Sequence, residues 1–149
     1  MRLSVSVDLD STLCDTRHRW HMLDDVDVES RDYEAYSMAC SGDSVVPGVA
    51  ALIRALWDKG FQIHLVSARS SSATRLTVKW LRTNNIPYNS LLLMDPTDPR
   101  DHVTYKVQTI QRIPSLAFHV DDHPDVEIAL EEAGIPCLLV HPPRLRPGV

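Results

Sequence analysis

Apolar strand-like runs alternate with helically periodic stretches along nearly all of this sequence, and the strand-like runs end in polar or acidic clusters. No other feature constrains the fold as strongly. Strands separated by helices form a parallel sheet through right-handed crossovers. The first run, L-S-V-S-V-D-L-D-S-T at residues 3–12, alternates Leu3, Val5 and Val7 with Ser4 and Ser6, the period of a strand, and ends in Asp8 and Asp10. The second, residues 61–67, runs into Ser67, Arg69 and the serines that follow. A short apolar run at 91–94 precedes the breaker-rich D-P-T-D-P-R-D, residues 116–120 lead into Asp121 and Asp122, and 137–140 is a final strand.

Helices fill the gaps. Pro47 suits a first helical position, Val49, Leu52, Ile53, Leu56 and Trp57 form an amphipathic stripe, and Gly60 is the stop. A helix over 72–84 would bury Ala73, Leu76, Trp80 and Leu81. Val103, Val107 and Ile110 mark another, and 124–133 the last, stopped by Gly134. The tail H-P-P-R-L-R-P-G-V is too proline-rich to continue any element. The expected architecture is α/β, a three-layer α/β/α sandwich whose ligands sit at the carboxyl ends of the strands.

Residues 14–46 interrupt this order with a polar, acid-rich stretch that has no strand signal. Thr16 is placed to cap a short helix through Leu23, and 31–40 fits another, with Tyr33, Tyr36 and Met38 or Ala39 to one side. A direct βα loop needs only a few residues. The segment therefore reads as a small helical cap inserted after the first strand of one 149-residue domain. A chain of this length buries roughly 70% of its unfolded surface, and 44% hydrophobic residues supply the core. A net charge of −5 argues against non-specific coating of duplex nucleic acid, while leaving room for a local basic groove. Cys14, Cys40 and Cys137 are odd in number and form no C-x-x-C pair, so reduced thiols and a cytoplasmic setting are expected. The opening residues lack the apolar run of a signal peptide, and no stretch is long enough for a membrane span.

The polar clusters form a chemical set: Asp8 and Asp10, Ser67 with Arg69, Lys106, and Asp121 with Asp122. Carboxylates brought together raise one another's pKa unless a cation neutralises them. Mg²⁺ prefers such oxygen ligands together with a substrate phosphate. One carboxylate can then attack phosphorus. Ser67 can donate to a phosphate oxygen, Lys106 can balance charge on nucleophile and phosphate, and Arg69 offers a fork either to the phosphate or to a neighbour.

In this order, D-x-D-S-T, V-S-A-R, a lysine and V-D-D resemble the haloacid dehalogenase (HAD) superfamily of phosphohydrolases over nearly the whole chain. S-A-R, T-V-K-W-L-R and V-D-D-H-P-D-V look most like the 3′-phosphatase domain of phage-type polynucleotide kinase–phosphatases. The resemblance implies a Rossmann-like sheet with the first strand central, flanked by the second and fourth. It implies Asp8 as a nucleophile forming an aspartyl-phosphate, and Asp10 as general acid and then base. Mg²⁺ would be held by Asp8, the Asp10 main-chain carbonyl and Asp121, with Asp122 as a further acid. Ser67 and Lys106 would hold the phosphate, with Ser11, Thr12, Ala68 and Arg69 completing the candidate phosphate-binding set. The implied substrate is a phosphorylated nucleic acid end, or, in a rival reading, a mononucleotide. No G-x-x-x-x-G-K-[ST] loop is present, so any kinase or ligase step would fall to a separate partner. Ser11 stands where the superfamily often has glycine.

Other residues carry two readings each. Arg75, Lys79 and Arg82 share one helix face, which is either simply solvated or a phosphate track. Arg17, Arg19, Trp20, Tyr33 and Tyr36 either stack on a base and hold a second phosphate or form the cap's own core. Asp125 is either a distant metal ligand or, the favoured reading, an acid in a helix first turn. His119 and His64 read as ordinary strand residues. A phospho-receiver module also uses acids and a lysine, but its acid pair follows the first strand, whereas Asp121 and Asp122 come late.

Overall fold

The computed structural model describes residues 2–141, so nearly all of the proline-rich tail lies outside the described residues. In chain order the elements are β1 (Ser4–Val7), β2 (Cys14–Asp15), α1 (His21–Asp24), α2 (Tyr33–Met38), β3 (Ser44–Val45), α3 (Pro47–Asp58), β4 (Gln62–Ser70), α4 (Thr74–Thr83), β5 (Ser90–Met94), α5 (His102–Gln111), β6 (Leu116–Asp121), α6 (Pro124–Glu132) and β7 (Cys137–Leu139). Five of the strands form one parallel sheet in the order β5-β4-β1-β6-β7. The central position of β1 between β4 and β6 agrees with expectation. It places the carboxyl end of β1 at the point where strand order reverses.

Helices α3 and α4 cover one face, where Val49, Ala50, Ile53, Trp80 and Leu81 close on Val5, Val7 and Leu65. Helices α5 and α6 cover the other, where Ile110, Val126 and Leu130 close on Val66. Both faces of β1 are therefore buried, including its serines. Ser6 Oγ and His119 Nδ1 lie 2.7 Å apart, satisfying a polar pair inside the sheet layer. Pro47 opens α3, and Gly60, at φ +91°, follows its last turn in a conformation that costs other residues. Asp101 caps α5 by accepting from the Thr104 amide at 2.9 Å.

The cap differs from its reading. Cys14 pairs with Val45 and Asp15 with Ser44, so the two ends of the insertion form an antiparallel ribbon, β2–β3. Two residues per strand are too few for any alternation to show in sequence. Thr16 makes no capping bond; Arg17–Arg19 is a 3₁₀ turn and α1 begins only at His21. The second cap helix starts later than read, with Asp32 as its cap. A further 3₁₀ turn, Ala39–Gly42, leads back to the body, where the Trp80 indole donates to the Asp43 carbonyl at 2.7 Å. Among the described residues no helix is long and apolar enough to cross a membrane.

Candidate active site

Asp8 follows β1 directly, and its amide still pairs with the Val120 carbonyl of β6 at 2.9 Å. Asp121 is the last residue of β6, and Lys106 reaches in from the middle of α5. The Lys106 ammonium sits 3.1 Å from Asp8 Oδ1 and 3.1 Å from Asp121 Oδ2, with only a tenth of its side chain exposed. Burial disfavours its charge, but the two carboxylates outweigh burial and raise its pKa, so it stays protonated. Thr12 Oγ1 lies 3.1 Å from Asp8 Oδ2 and 3.0 Å from Asp122 Oδ1. His119 Nε2 stands 2.8 Å from Asp121 Oδ2. With Asp121 a carboxylate, that nitrogen carries the proton and Nδ1 accepts from Ser6.

Burial first, and then the charge of Asp121, push the Asp8 carboxyl well above its usual range, with Lys106 opposing. The same two causes raise Asp122. Burial acts against Asp121 too, yet the His119 bond and the Lys106 charge hold it at about 2. An oxygen from each of Asp8, Asp121 and Asp122 lies within 4.8 Å of the others. Asp8 Oδ1 is buried and, its ion pair with Lys106 apart, has no hydrogen-bond partner among the described residues. Three hard oxygen donors, one of them unsatisfied, fit a divalent cation.

Asp10 faces a different environment. Its Oδ1 takes Arg69 Nη2 at 2.5 Å and Arg19 Nη2 at 2.7 Å. Burial would raise its pKa, but the two guanidiniums prevail and hold it at about 2. Its side chain is 23% exposed, on the wall of the cavity that also holds Asp8. Arg19 bonds onward to both oxygens of Asp43, at 2.9 and 2.7 Å, donates to the Tyr36 carbonyl at 2.8 Å and stacks over the Tyr36 ring at 4.2 Å. The side chains of Arg19, Asp43 and Arg69 are almost wholly excluded from solvent.

A cavity of about 650 Å³ opens above these groups, between the cap and the carboxyl ends of the strands. Asp8, Asp10, Ser67, Ala68, Arg69 and Lys106 line it, together with Asp122. Several expected positions differ. Arg69 spends its fork on Asp10 and on Thr77, at 2.9 Å, which is the neighbour rather than the phosphate. Thr12 is buried and bonded to the carboxylates, so it orients Asp8 and Asp122 instead of receiving phosphate. Ser11 takes the left-handed conformation, φ +64°, that explains the glycine usual there. Its amide donates to the Cys14 carbonyl and its hydroxyl meets Thr16, so both are engaged within the loop.

The cap residues divide. Arg19 is 1% exposed and cannot meet a base; it belongs to the clamp on Asp10. Arg17 binds Asp15 at 2.6 Å beside a separate shallow recess, and the Trp20 indole donates to Thr16. Tyr33 and Tyr36 do reach the cavity wall. Arg75, Lys79 and Arg82 lie exposed on α4, outside the cavity lining, and Asp125 is exposed in the first turn of α6, outside the carboxylate cluster. The sequence reading missed His119 and Asp43. His119 stands two residues before Asp121 on the same strand face, a spacing that pairs a ring with a carboxylate. Asp43 carries no such signal, because its partner Arg19 lies across the cap.

A buried carboxylate at the mouth of the central strand, a lysine bridging it to a second acid, and an acid cluster that could hold a cation are gathered at one end of an α/β sheet. The chain belongs to the HAD superfamily, subfamily IIIB (acid phosphatase), a family it matches over residues 2–120. No curated protein sequence matches the chain. Among solved structures it is similar to a chain of the Pnkp1/Rnl/Hen1 complex, with a TM-score of 0.76 and 23% identity over 97% of this chain and 48% of that one. A second structure, of the Pnkp1/Rnl/Hen1 RNA repair complex, gives the same score and identity with 44% of that chain covered. This chain thus spans less than half of those relatives. The class C acid phosphatase from Bacillus anthracis with tungstate bound has a TM-score of 0.67 and 16% identity over 95% of this chain and 67% of that one. At these identities the likenesses show the fold.

Proposed function

We propose that the protein hydrolyses phosphomonoesters through an aspartyl-phosphate on Asp8 and that its substrates are 3′-phosphorylated polynucleotide ends. The observation that carries the mechanism is the pairing of two differently treated acids on one cavity. Asp8 lies against Lys106 and the acid cluster, and Asp10, on the same cavity wall, is clamped by two arginines through Oδ1. Mg²⁺, held by Asp8, Asp121 and Asp122 with the Asp10 carbonyl, would supply positive charge beside the phosphoryl group. An Asp8 oxygen forms a bond to phosphorus while the ester P–O bond breaks, and the leaving oxygen takes the proton of Asp10. Carrying that proton is uphill beside two guanidiniums, and an incoming phosphate dianion next to them lessens the cost. The Asp10 carboxylate then takes a proton from the water that attacks phosphorus, freeing phosphate and restoring Asp8. Lys106 and the Ser67 hydroxyl hold the phosphate through this exchange.

Support for the polynucleotide end comes from the resemblance of S-A-R and V-D-D-H-P-D-V, from the likeness to a chain of an RNA repair complex, and from the basic face of α4. A separate ligase or kinase partner fits the same setting. The rival reading, a mononucleotide phosphatase, draws on the acid phosphatase family itself and on the acids of the cavity wall. Phosphate release from a short 3′-phosphorylated oligonucleotide and from a 5′-mononucleotide, with Mg²⁺ and with chelator, decides between them. A much higher kcat/KM on the oligonucleotide, abolished by chelator, is the expected result. A preference for the mononucleotide overturns the substrate assignment and leaves the phosphatase chemistry in place.

A further inference from the structure

We propose that Arg31 is a second anion-binding position on the cap side of the cavity, taking the phosphate group one sugar away from the one being hydrolysed. The proposal rests on the phosphatase reading above, but not on which of the two esters is cleaved. Cationic side chains on the cavity wall are unevenly committed. Lys106 bridges Asp8 and Asp121, Arg69 is held on Asp10, and Arg100 is held on Asp98 at 2.6 Å. Arg31 is the one lining arginine or lysine with no carboxylate partner among the described residues.

Its position is nevertheless fixed. Arg31 Nε donates to the Leu23 carbonyl at 2.9 Å, in the last turn of α1, where unsatisfied helix carbonyls favour a guanidinium. That bond sets the plane of the group and leaves its terminal nitrogens as a fork for an anion with two oxygens. A cavity of about 650 Å³ is far larger than one phosphoryl group and is of the size that encloses a ligand of nucleotide dimensions. Wall acids outside the carboxylate cluster are largely engaged nearby: Asp10 is held by Arg19 and Arg69, Asp32 caps α2, Asp95 accepts from Thr97, and Asp98 holds Arg100. Glu34 is the remaining one, on the exposed first turn of α2. The chemistry Arg31 recognises is therefore a second phosphate on the same ligand. It is supplied either by the internucleotide diester of a polynucleotide or by the other phosphate of a nucleoside bisphosphate.

The test compares adenosine 3′-monophosphate, adenosine 5′-monophosphate, adenosine 3′,5′-bisphosphate and a 3′-phosphorylated dinucleotide as substrates of the wild type, Arg31→Gln and Arg31→Lys. The wild type should favour the two ligands with a second phosphate over the monophosphates by about tenfold or more in kcat/KM, the factor expected for one charge-assisted fork. Arg31→Gln should bring that ratio close to one, and Arg31→Lys should keep part of it. The bisphosphate against the dinucleotide distinguishes the two sources. An unchanged ratio in Arg31→Gln, a parallel loss on every substrate as a merely structural role would give, or a wild type indifferent to the second phosphate overturns the proposal. Which phosphate the bisphosphate loses is a separate result and bears only on the 3′ assignment. Calorimetry of the bisphosphate and monophosphates on Asp8→Asn, with and without Arg31→Gln, reads the same ratio as binding, so a preparation without turnover still decides.

Discussion

Asp8 and Asp10 are two residues apart and meet opposite electrostatics. Asp8 is pressed among acids and rescued by one lysine, whereas Asp10 is held by two arginines. Asp8→Asn should abolish phosphate release, because an amide oxygen cannot form the covalent intermediate. It should also leave the metal-free melting temperature unchanged or higher, since it removes one buried like charge. Arg19→Met should behave otherwise. It leaves the fully buried Asp43 without its main partner and should cost about 3–5 kcal/mol in chemical denaturation. It should also lower kcat by freeing the Asp10 carboxylate from one side of its clamp. A wild-type kcat in a folded Arg19→Met protein would deny the clamp any role in turnover. Asp8, Asp10 and Asp121 were legible in sequence because they close or closely follow apolar strand-like runs, and Lys106 because it stands beside the Val103–Val107 stripe of a helix. Asp43 and its pairing with Arg19 were not, because a buried ion pair across the cap leaves no periodic trace.

At the level of elements, the alternation in β1 identified a strand but not its surroundings. Ser4 and Ser6 read as a polar face, yet both are buried, because α5 and α6 cover that side and His119 accepts from Ser6. The large helices were legible because α3 and α4 announce one apolar face each. The cap was not, being assembled from short turns and two-residue strands whose pairing is non-local. Helix α4 offers a prediction of its own. Its Arg75, Lys79 and Arg82 are exposed and it carries no acid. If a polynucleotide strand runs along this face, replacing all three with Ser should flatten the salt dependence of kcat/KM on a long 3′-phosphorylated oligonucleotide. The expected loss is about 0.7 in log–log slope per phosphate contact removed. An unaltered slope assigns the face to solvent.

For the whole molecule, the carboxylate cluster ties stability to pH and metal together. Asp8 and Asp122 have raised pKa values in the folded chain, so without metal they favour folding while protonated. That contribution is lost as pH rises from the unfolded value through their folded ones. A divalent cation needs the same groups deprotonated and binds only the folded arrangement. The rise in melting temperature produced by saturating Mg²⁺ should therefore grow as pH climbs above the ordinary carboxylate range and vanish when Asp121→Asn dismantles the cluster. A Mg²⁺ shift that is flat with pH would detach the metal from these carboxylates.

The β2–β3 ribbon brings the two ends of the cap side by side, Cys14 against Val45 and Asp15 against Ser44. In the language of engineering, that makes residues 16–43 a cassette plugged into a socket of fixed width. Its length and lining can be exchanged while the five strands beneath keep their register. The socket has two pins, Arg19 and Asp43, one near each end of the cassette, and through them the insert reaches Asp10. A transplanted cap that keeps both pins should inherit the hydrolytic machinery intact and bring its own choice of ester.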